Sequence, residues 1–188
     1  RALHTDARRQ RQMCIRDSLS IGSYVWQDTD GDGVQEAGEP AIPNATVALF
    51  VDNGAGTFIP ATDISGLAVA NITTGANGLY QFTNLPAGDY RVRVTPPAGF
   101  VPTLVQDTVA NSDTTPADEL DSNIAATPAP GVFESATFTL STLGEPIESD
   151  TAAGDNQDGN GTPADRNGNM TVDFGCLLYT SDAADERH

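Results

Sequence analysis

Leu19-Ser-Ile-Gly-Ser-Tyr-Val-Trp-Gln-Asp28-Thr-Asp-Gly-Asp-Gly-Val-Gln-Glu-Ala-Gly-Glu39-Pro-Ala-Ile-Pro43 joins a short aromatic and β-branched run to an acidic, glycine-rich loop. Asp28, Asp30, Asp32, Glu36 and Glu39 fall at positions one, three, five, nine and twelve of a twelve-residue stretch, with Gly33 at six. This is the D-x-[DN]-x-[DN]-G-x5-E spacing of a calcium loop. A hard cation takes roughly six to eight oxygen ligands, so alternate carboxylates must converge while a glycine permits the sharp turn. Val34 offers a carbonyl from position seven, and Glu39 can close the site with both oxygens. The candidate metal ligands are therefore Asp28, Asp30, Asp32, Val34, Glu36 and Glu39, with Ca2+ as the cation. Asp and Gly are also ordinary turn residues, and an acidic turn is the competing reading.

The flanks decide what carries the loop. A helix-loop-helix setting needs an amphipathic helix on each side, but Leu19–Trp26 alternates Ile21, Ser23 and Val25 with Gly22, Tyr24 and Trp26 and reads as a strand. Pro40 and Pro43 exclude a helix interior after the loop, because proline lacks the backbone donor. The loop hangs on a β-scaffold.

The ends of the chain differ from its middle. Arg8–Asp17 back-translates as CGT CGG CAG CGT CAG ATG TGT ATA AGA GAC, and the reverse complement, read in another frame, encodes the nine residues Leu177–Asp185. The two tails thus read as opposite strands of one DNA sequence, which resembles a transposon-end sequencing adapter. Residues 1–18 and 176–188 are accordingly expected to be non-native, disordered tails around a folded segment 19–175, and are set aside from fold reasoning. Cys14 and Cys176 go with them, so no disulfide argument survives.

The remaining 157 residues carry three arginines, no lysine and 21 acidic residues, a net charge of −18. Phosphate recognition needs clustered Lys or Arg, so nucleic acid is excluded as a partner. Charge of this density repels itself unless cations condense on it. The length suits one domain with a proper core. No apolar run approaches a bilayer-spanning length, so no membrane insertion is expected within the segment. The native protein is expected to be longer than this segment at both ends.

Strand signals recur along the segment: Thr46–Val51, Thr57–Ile59, Val69–Thr74, Leu79–Phe82, Tyr90–Thr95, Phe100–Val105, Ala136–Leu140 and Met170–Phe174. Asp52–Gly56, Leu85–Gly88 and Pro96–Gly99 are turn clusters, and Asn77-Gly78 is a hairpin-type pair. Tyr90, Val92 and Val94 alternate with Arg91 and Arg93. No segment has a helical period. The fold expected is all-β: an antiparallel Greek-key β-sandwich of prealbumin or immunoglobulin type with seven to nine short strands. Trp26, Phe50, Tyr80, Phe82, Tyr90, Val92, Phe138 and Phe174 are the core candidates.

The order of strand, Val25-Trp26, calcium loop, Gly78-Leu-Tyr-Gln-Phe82, Leu85-Pro-Ala-Gly-Asp-Tyr90 and Pro97-Ala-Gly-Phe100 resembles the SdrD B-like domain. The likeness is read as running through Asp118–Ser122 to Thr171–Gly175. That family, found in serine-aspartate repeat surface adhesins and other bacterial exoproteins, is related to the collagen-adhesin B fold. The resemblance implies calcium-binding, rigid repeats that act as stalks or spacers. It also implies an extracellular location, at the cell surface or secreted, and neighbouring domains in a longer chain. Collagen-adhesin B domains often carry a lysine–asparagine isopeptide bond, which a chain without lysine cannot form. Stiffness is then left to metal and packing.

Further acidic residues fall outside the loop. Asp113, Asp118 and Asp121 lie where the resemblance implies additional calcium sites. Asp155, Asp158 and Asp165 offer oxygens with intervening glycines in a spacing that fits no standard loop, and a solvated acidic loop is the alternative there.

An enzyme is not expected. Both histidines, His4 and His188, lie in the tails, and the segment has no cysteine nucleophile, lysine or G-x-S-x-G elbow. A calcium-stiffened spacer module of a surface protein is the leading reading. The alternative is an adhesin module recognising a carbohydrate or a matrix protein, and an accessory fragment of an exported enzyme is a third.

Overall fold

Strand β1 (Leu19–Gln27) is the spine of the first of two sheets. The computed structural model describes residues 18–103, 122–145 and 167–179. Both faces of β1 are buried over most of its length, which accounts for its aromatic and β-branched composition. One edge pairs antiparallel with β5 (Leu79–Leu85), with a register irregularity between Leu19 and Ile21. The other edge pairs parallel, first with β11 (Gly168–Asn169) and then with β12 (Phe174–Leu178). Strand β7 (Phe100–Pro102) lies against the far side of β12.

The second sheet is built on β2 (Thr46–Asp52) and β6 (Gly88–Thr95), paired antiparallel over six residues. Strands β3 (Phe58–Pro60) and β4 (Ile72–Thr73) pair with the outer edge of β2. The other edge of β6 carries β9 (Val132–Ser135) and β10 (Phe138–Leu140), and β8 (Ile124–Ala129) pairs with β9. Ile21, Val25, Tyr80, Phe82 and Phe174 of the first sheet pack with Val47, Leu49, Tyr90, Val92, Phe133 and Phe138 of the second in one buried cluster. The all-β sandwich expected from the sequence is the fold observed.

Four details differ from expectation. Twelve strands occur among the described residues rather than seven to nine, because several are only two or three residues long and too short to show alternation. Asn77-Gly78 is not a hairpin turn: β4 pairs with β2 and β5 with β1, so the turn carries the chain from one sheet to the other. Gly78 has φ +72°, and a Cβ there would meet the Val25 carbonyl oxygen at 2.5 Å, so the corner requires glycine. Met170–Phe174 is not a strand; only Phe174 pairs, and Met170–Asp173 link β11 to β12. Phe50 faces outward, half-buried under the Arg93 guanidinium at 4.2 Å, while the other core candidates are buried.

Strand β12 continues past Gly175 to Leu178, contrary to the disordered tail expected from residue 176, so Cys176, Leu177 and Leu178 pair with Pro102, Val101 and Phe100. Cys176 is a free, fully buried thiol, and burial together with the Asp28 charge pushes its pKa up. Asp113, Asp118, Asp121, Asp155, Asp158 and Asp165, and the tails 1–17 and 180–188, lie outside the described residues. Among the described residues no helix is long and apolar enough to cross a membrane.

Candidate metal centre

The acidic loop connects β1 in one sheet to β2 in the other, and it is closed at its base. Gln27 N–H donates to the Pro40 carbonyl at 2.8 Å and Ile42 N–H to the Val25 carbonyl at 2.9 Å, so the chain leaving the loop returns antiparallel onto β1. Inside the loop the carboxylates collect backbone donors. Asp28 Oδ1 accepts Gly31 N–H at 2.6 Å and Oδ2 accepts Gly33 N–H at 2.9 Å. Asp32 Oδ1 accepts Val34 N–H at 2.8 Å. Glu39 Oε1 accepts Thr29 N–H at 2.7 Å, and its Oε2 accepts Glu36 N–H at 3.1 Å. Gly33 has φ +85°, a left-handed conformation that side-chain-bearing residues rarely adopt.

These bonds coil the loop so that its acidic side chains converge. Carboxylate oxygens of Asp28, Asp30 and Asp32 lie within 4.8 Å of one another, and so do those of Asp30, Glu36 and Glu39. Asp30 belongs to both groups, so the five acidic candidates form one cluster, with Val34 in the loop between them. The electrostatics register the crowding. The charges of Asp30 and then Asp32 raise the pKa of exposed Glu36 from its ordinary value. For Asp28, burial works against ionisation, but hydrogen bonds from Thr103, Gly31, Gly33 and Asp32 outweigh it and hold the pKa below the ordinary value. An ionised carboxylate has about four acceptor sites, so an oxygen that holds a single N–H, such as Glu39 Oε2, retains capacity for a cation, whereas Asp28 Oδ2 takes both the Gly33 N–H and the Thr103 hydroxyl. An all-oxygen, multiply charged donor set of this kind fits a hard divalent ion.

Two residues without any local signal complete the site. Thr103, immediately after β7, donates its hydroxyl to Asp28 Oδ2 across 75 positions of sequence. Ser122 donates its N–H to the Gly33 carbonyl at 3.0 Å, and its Oγ accepts Gly175 N–H at 3.1 Å. The loop is therefore tied to chain on both sides of residues 104–121. Trp26, the chain's single tryptophan, lies fully buried two residues before Asp28.

The SdrD B-like domain family matches residues 19–135, short of the Thr171–Gly175 to which the likeness was extended from sequence. A bone sialoprotein-binding protein of Staphylococcus aureus strain MRSA252 is 37% identical over 94 residues, covering 50% of this chain and 7% of that protein. A serine-aspartate repeat-containing protein E of strain MSSA476 matches at the same identity and coverage. The chain thus spans a small fraction of these relatives' length. Among solved structures, a streptococcal ancillary pilin superposes with a TM-score of 0.35 at 15% identity, covering 48% of this chain and 27% of the pilin chain. With its family matched from the first residue of β1 through β9, the chain belongs to the SdrD B-like domain family.

Proposed function

We propose that this chain is a calcium-binding structural module of a bacterial multidomain protein, acting outside the cell as a spacer between neighbouring domains. The observation that carries the reading is the convergence of five carboxylates in a loop that forms the crossover between the two sheets. Ca2+, when bound, would neutralise the charge of an oxygen cage that this chain's residues supply. Asp28, Asp30, Asp32, Glu36 and Glu39, with the Val34 carbonyl, are the residues that would hold it. Two carboxylates 4 Å apart repel by about 1 kcal/mol in water and about 4 kcal/mol at an intermediate dielectric. Five converging carboxylates therefore tend to open the loop when no cation is bound. A stiff loop couples the two sheets at one end and resists their shearing.

The reading is non-catalytic. The family relationship supports an extracellular surface or secreted setting, since the relatives that match are named as serine-aspartate repeat and sialoprotein-binding proteins. The adhesin alternative is less well supported for a carbohydrate ligand. Stacking on sugars needs open aromatic faces; the Phe50 and Phe58 rings are covered by Arg93 and Arg91 at 4.2 and 4.0 Å, and Tyr179, the aromatic residue that is exposed among the described residues, lies in the expected tail. A folded segment that begins at residue 19 and that β12 carries to Leu178, together with the adapter origin of the tails, belongs to the same proposal, and sequencing the source gene across both junctions tests them.

Calorimetric titration of the 188-residue chain with Ca2+, alongside Trp26 emission, tests the calcium reading. Saturable binding with a change in emission is expected. Absence of binding at millimolar Ca2+ overturns it.

A further inference from the structure

Asp28 is held differently from the other acidic residues of the loop. It is 1% exposed, whereas Asp30 and Asp32 are exposed. Its backbone donors, Gly31, Gly33 and Asp32, belong to the loop and move with it. The Thr103 hydroxyl belongs to the framework. Cys176 of β12 is paired with Gln27 on one side and Pro102 on the other, so Asp28 and Thr103 emerge from strands on opposite edges of β12. Asp28 N–H is fixed to the Cys176 carbonyl at 3.0 Å, and Thr103 N–H to the Gly175 carbonyl at 3.3 Å. The Thr103 hydroxyl spans the end of β12 and anchors a carboxylate at loop position one.

Gly175 shows that this arrangement is built closely. A Cβ on Gly175 would lie 2.6 Å from Thr103 Cγ2 and 2.8 Å from the Trp26 ring. The side chain of Thr103 thus has two separable parts: a methyl group over Gly175 beside Trp26, and a hydroxyl on Asp28.

We propose that Thr103 is a positioning residue for the cation site, its hydroxyl orienting the Asp28 carboxylate for Ca2+ from outside the loop. The inference rests on the calcium reading above. Thr103 fixes the side-chain rotamer of Asp28 before the cation arrives, so that less ordering is required on binding. A hydrogen bond to a charged acceptor is among the stronger ones in a protein. Its loss is expected to weaken affinity on the order of tenfold.

The test compares Thr103→Val with Thr103→Ser in the 188-residue chain, by calorimetric Ca2+ titration and by melting in excess chelator. Valine keeps the branched shape and removes the hydroxyl; serine keeps the hydroxyl and removes the methyl. Positioning predicts affinity weakened about tenfold by valine and held within about twofold by serine. A packing role predicts the reverse order in chelator melting and no selective loss of affinity for valine. Affinity within twofold of wild type for Thr103→Val, or equal weakening by both substitutions, overturns the proposal. Should valine prevent folding, Thr103→Ala removes the same hydroxyl and must weaken Ca2+ binding more than serine does. Wild-type protein that binds no Ca2+ defeats the calcium reading itself, a result distinct from wild-type binding that Thr103→Val leaves intact.

Discussion

The Tyr90 hydroxyl donates to the Pro86 carbonyl at 2.7 Å, bracing the turn that carries the chain from β5 in one sheet to β6 in the other. The ring is fully buried between the sheets, so a single side chain fills the core and satisfies the backbone of a sheet-to-sheet corner. Tyr90→Phe keeps the ring and leaves the Pro86 carbonyl without this donor. The expected cost is about 1 kcal/mol, or about 3 °C in melting temperature. Burial pushes the Tyr90 pKa up to about 12. The unfolded phenol ionises near pH 10. The stabilising contribution is therefore complete below about pH 10 and is lost as pH rises toward 12. Thermal melts from pH 8 to 12 should show a steeper alkaline loss in wild type than in Tyr90→Phe. Parallel curves would contradict the assignment.

Calcium should raise the melting temperature of the chain. At a free concentration about 100 times the dissociation constant, binding adds about 2.7 kcal/mol, which corresponds to roughly 5–10 °C for a domain of this size. Asp30→Ala with Asp32→Ala removes two exposed carboxylates, losing the acceptor for Val34 N–H but relieving the crowding of the cluster, so the rise should largely disappear while the melt in chelator stays near wild type. Differential scanning calorimetry in chelator and in millimolar Ca2+ makes the comparison. Equal calcium-dependent shifts in wild type and the double variant would sink the ligand assignment.

Local pattern made part of this molecule readable. Tyr90, Val92 and Val94 face the core, and Arg91 and Arg93 face out, as their alternation requires. The calcium-type spacing located the five carboxylates that the loop brings together. The errors arose where the partner is distant in sequence. Asn77-Gly78 announces a turn, but nothing in two residues says whether the chain re-pairs with the strand it left or crosses to the other sheet. Met170–Phe174 mimics a strand because its apolar residues alternate, yet Thr171 and Asp173 are buried too. Their backbone N–H groups are taken by the Asn169 and Asn123 side chains at 3.1 and 2.7 Å, not by a neighbouring strand. Thr103 carried no signal, since its role depends on β7 and β1 flanking the same strand.

Glu134 bridges the two outward arginines of β6. Its Oε1 accepts Arg91 at 3.2 Å, its Oε2 accepts Arg93 Nε at 2.9 Å, and each guanidinium also stacks on a phenylalanine. The carboxylate is buried, while the arginine side chains are about one-third exposed (36% and 34%), so water screens part of the interaction. Glu134→Gln leaves two adjacent guanidiniums without their shared counter-charge. The expected loss is about 1–2 kcal/mol, or about 3–6 °C, and smaller in molar salt. A melting temperature unchanged at low salt would show that the stacking alone holds the arginines.

Glu145 presents the opposite case, a carboxylate that the fold disfavours in its charged form. It is 6% exposed; its Oε1 accepts Ser141 N–H at 2.6 Å, while Oε2 has no hydrogen-bond partner among the described residues. Burial raises its pKa, against hydrogen bonds from Ser141 and Asn169 that lower it. With the folded-state pKa above the unfolded one, the associated stability is complete below the ordinary glutamate pKa near 4.3 and is lost as pH rises through the folded value. At pH 7 the chain therefore carries the cost of a buried charge with one oxygen unsolvated. Glu145→Gln removes that charge while keeping the side chain's shape and an oxygen acceptor for Ser141 N–H. It should raise the melting temperature at pH 7 by roughly 1–3 °C. The gain should vanish below pH 4, where the native glutamic acid is itself neutral. A lower melting temperature for Glu145→Gln at pH 7 would mean that the Ser141 and Asn169 hydrogen bonds to the charged form outweigh its desolvation.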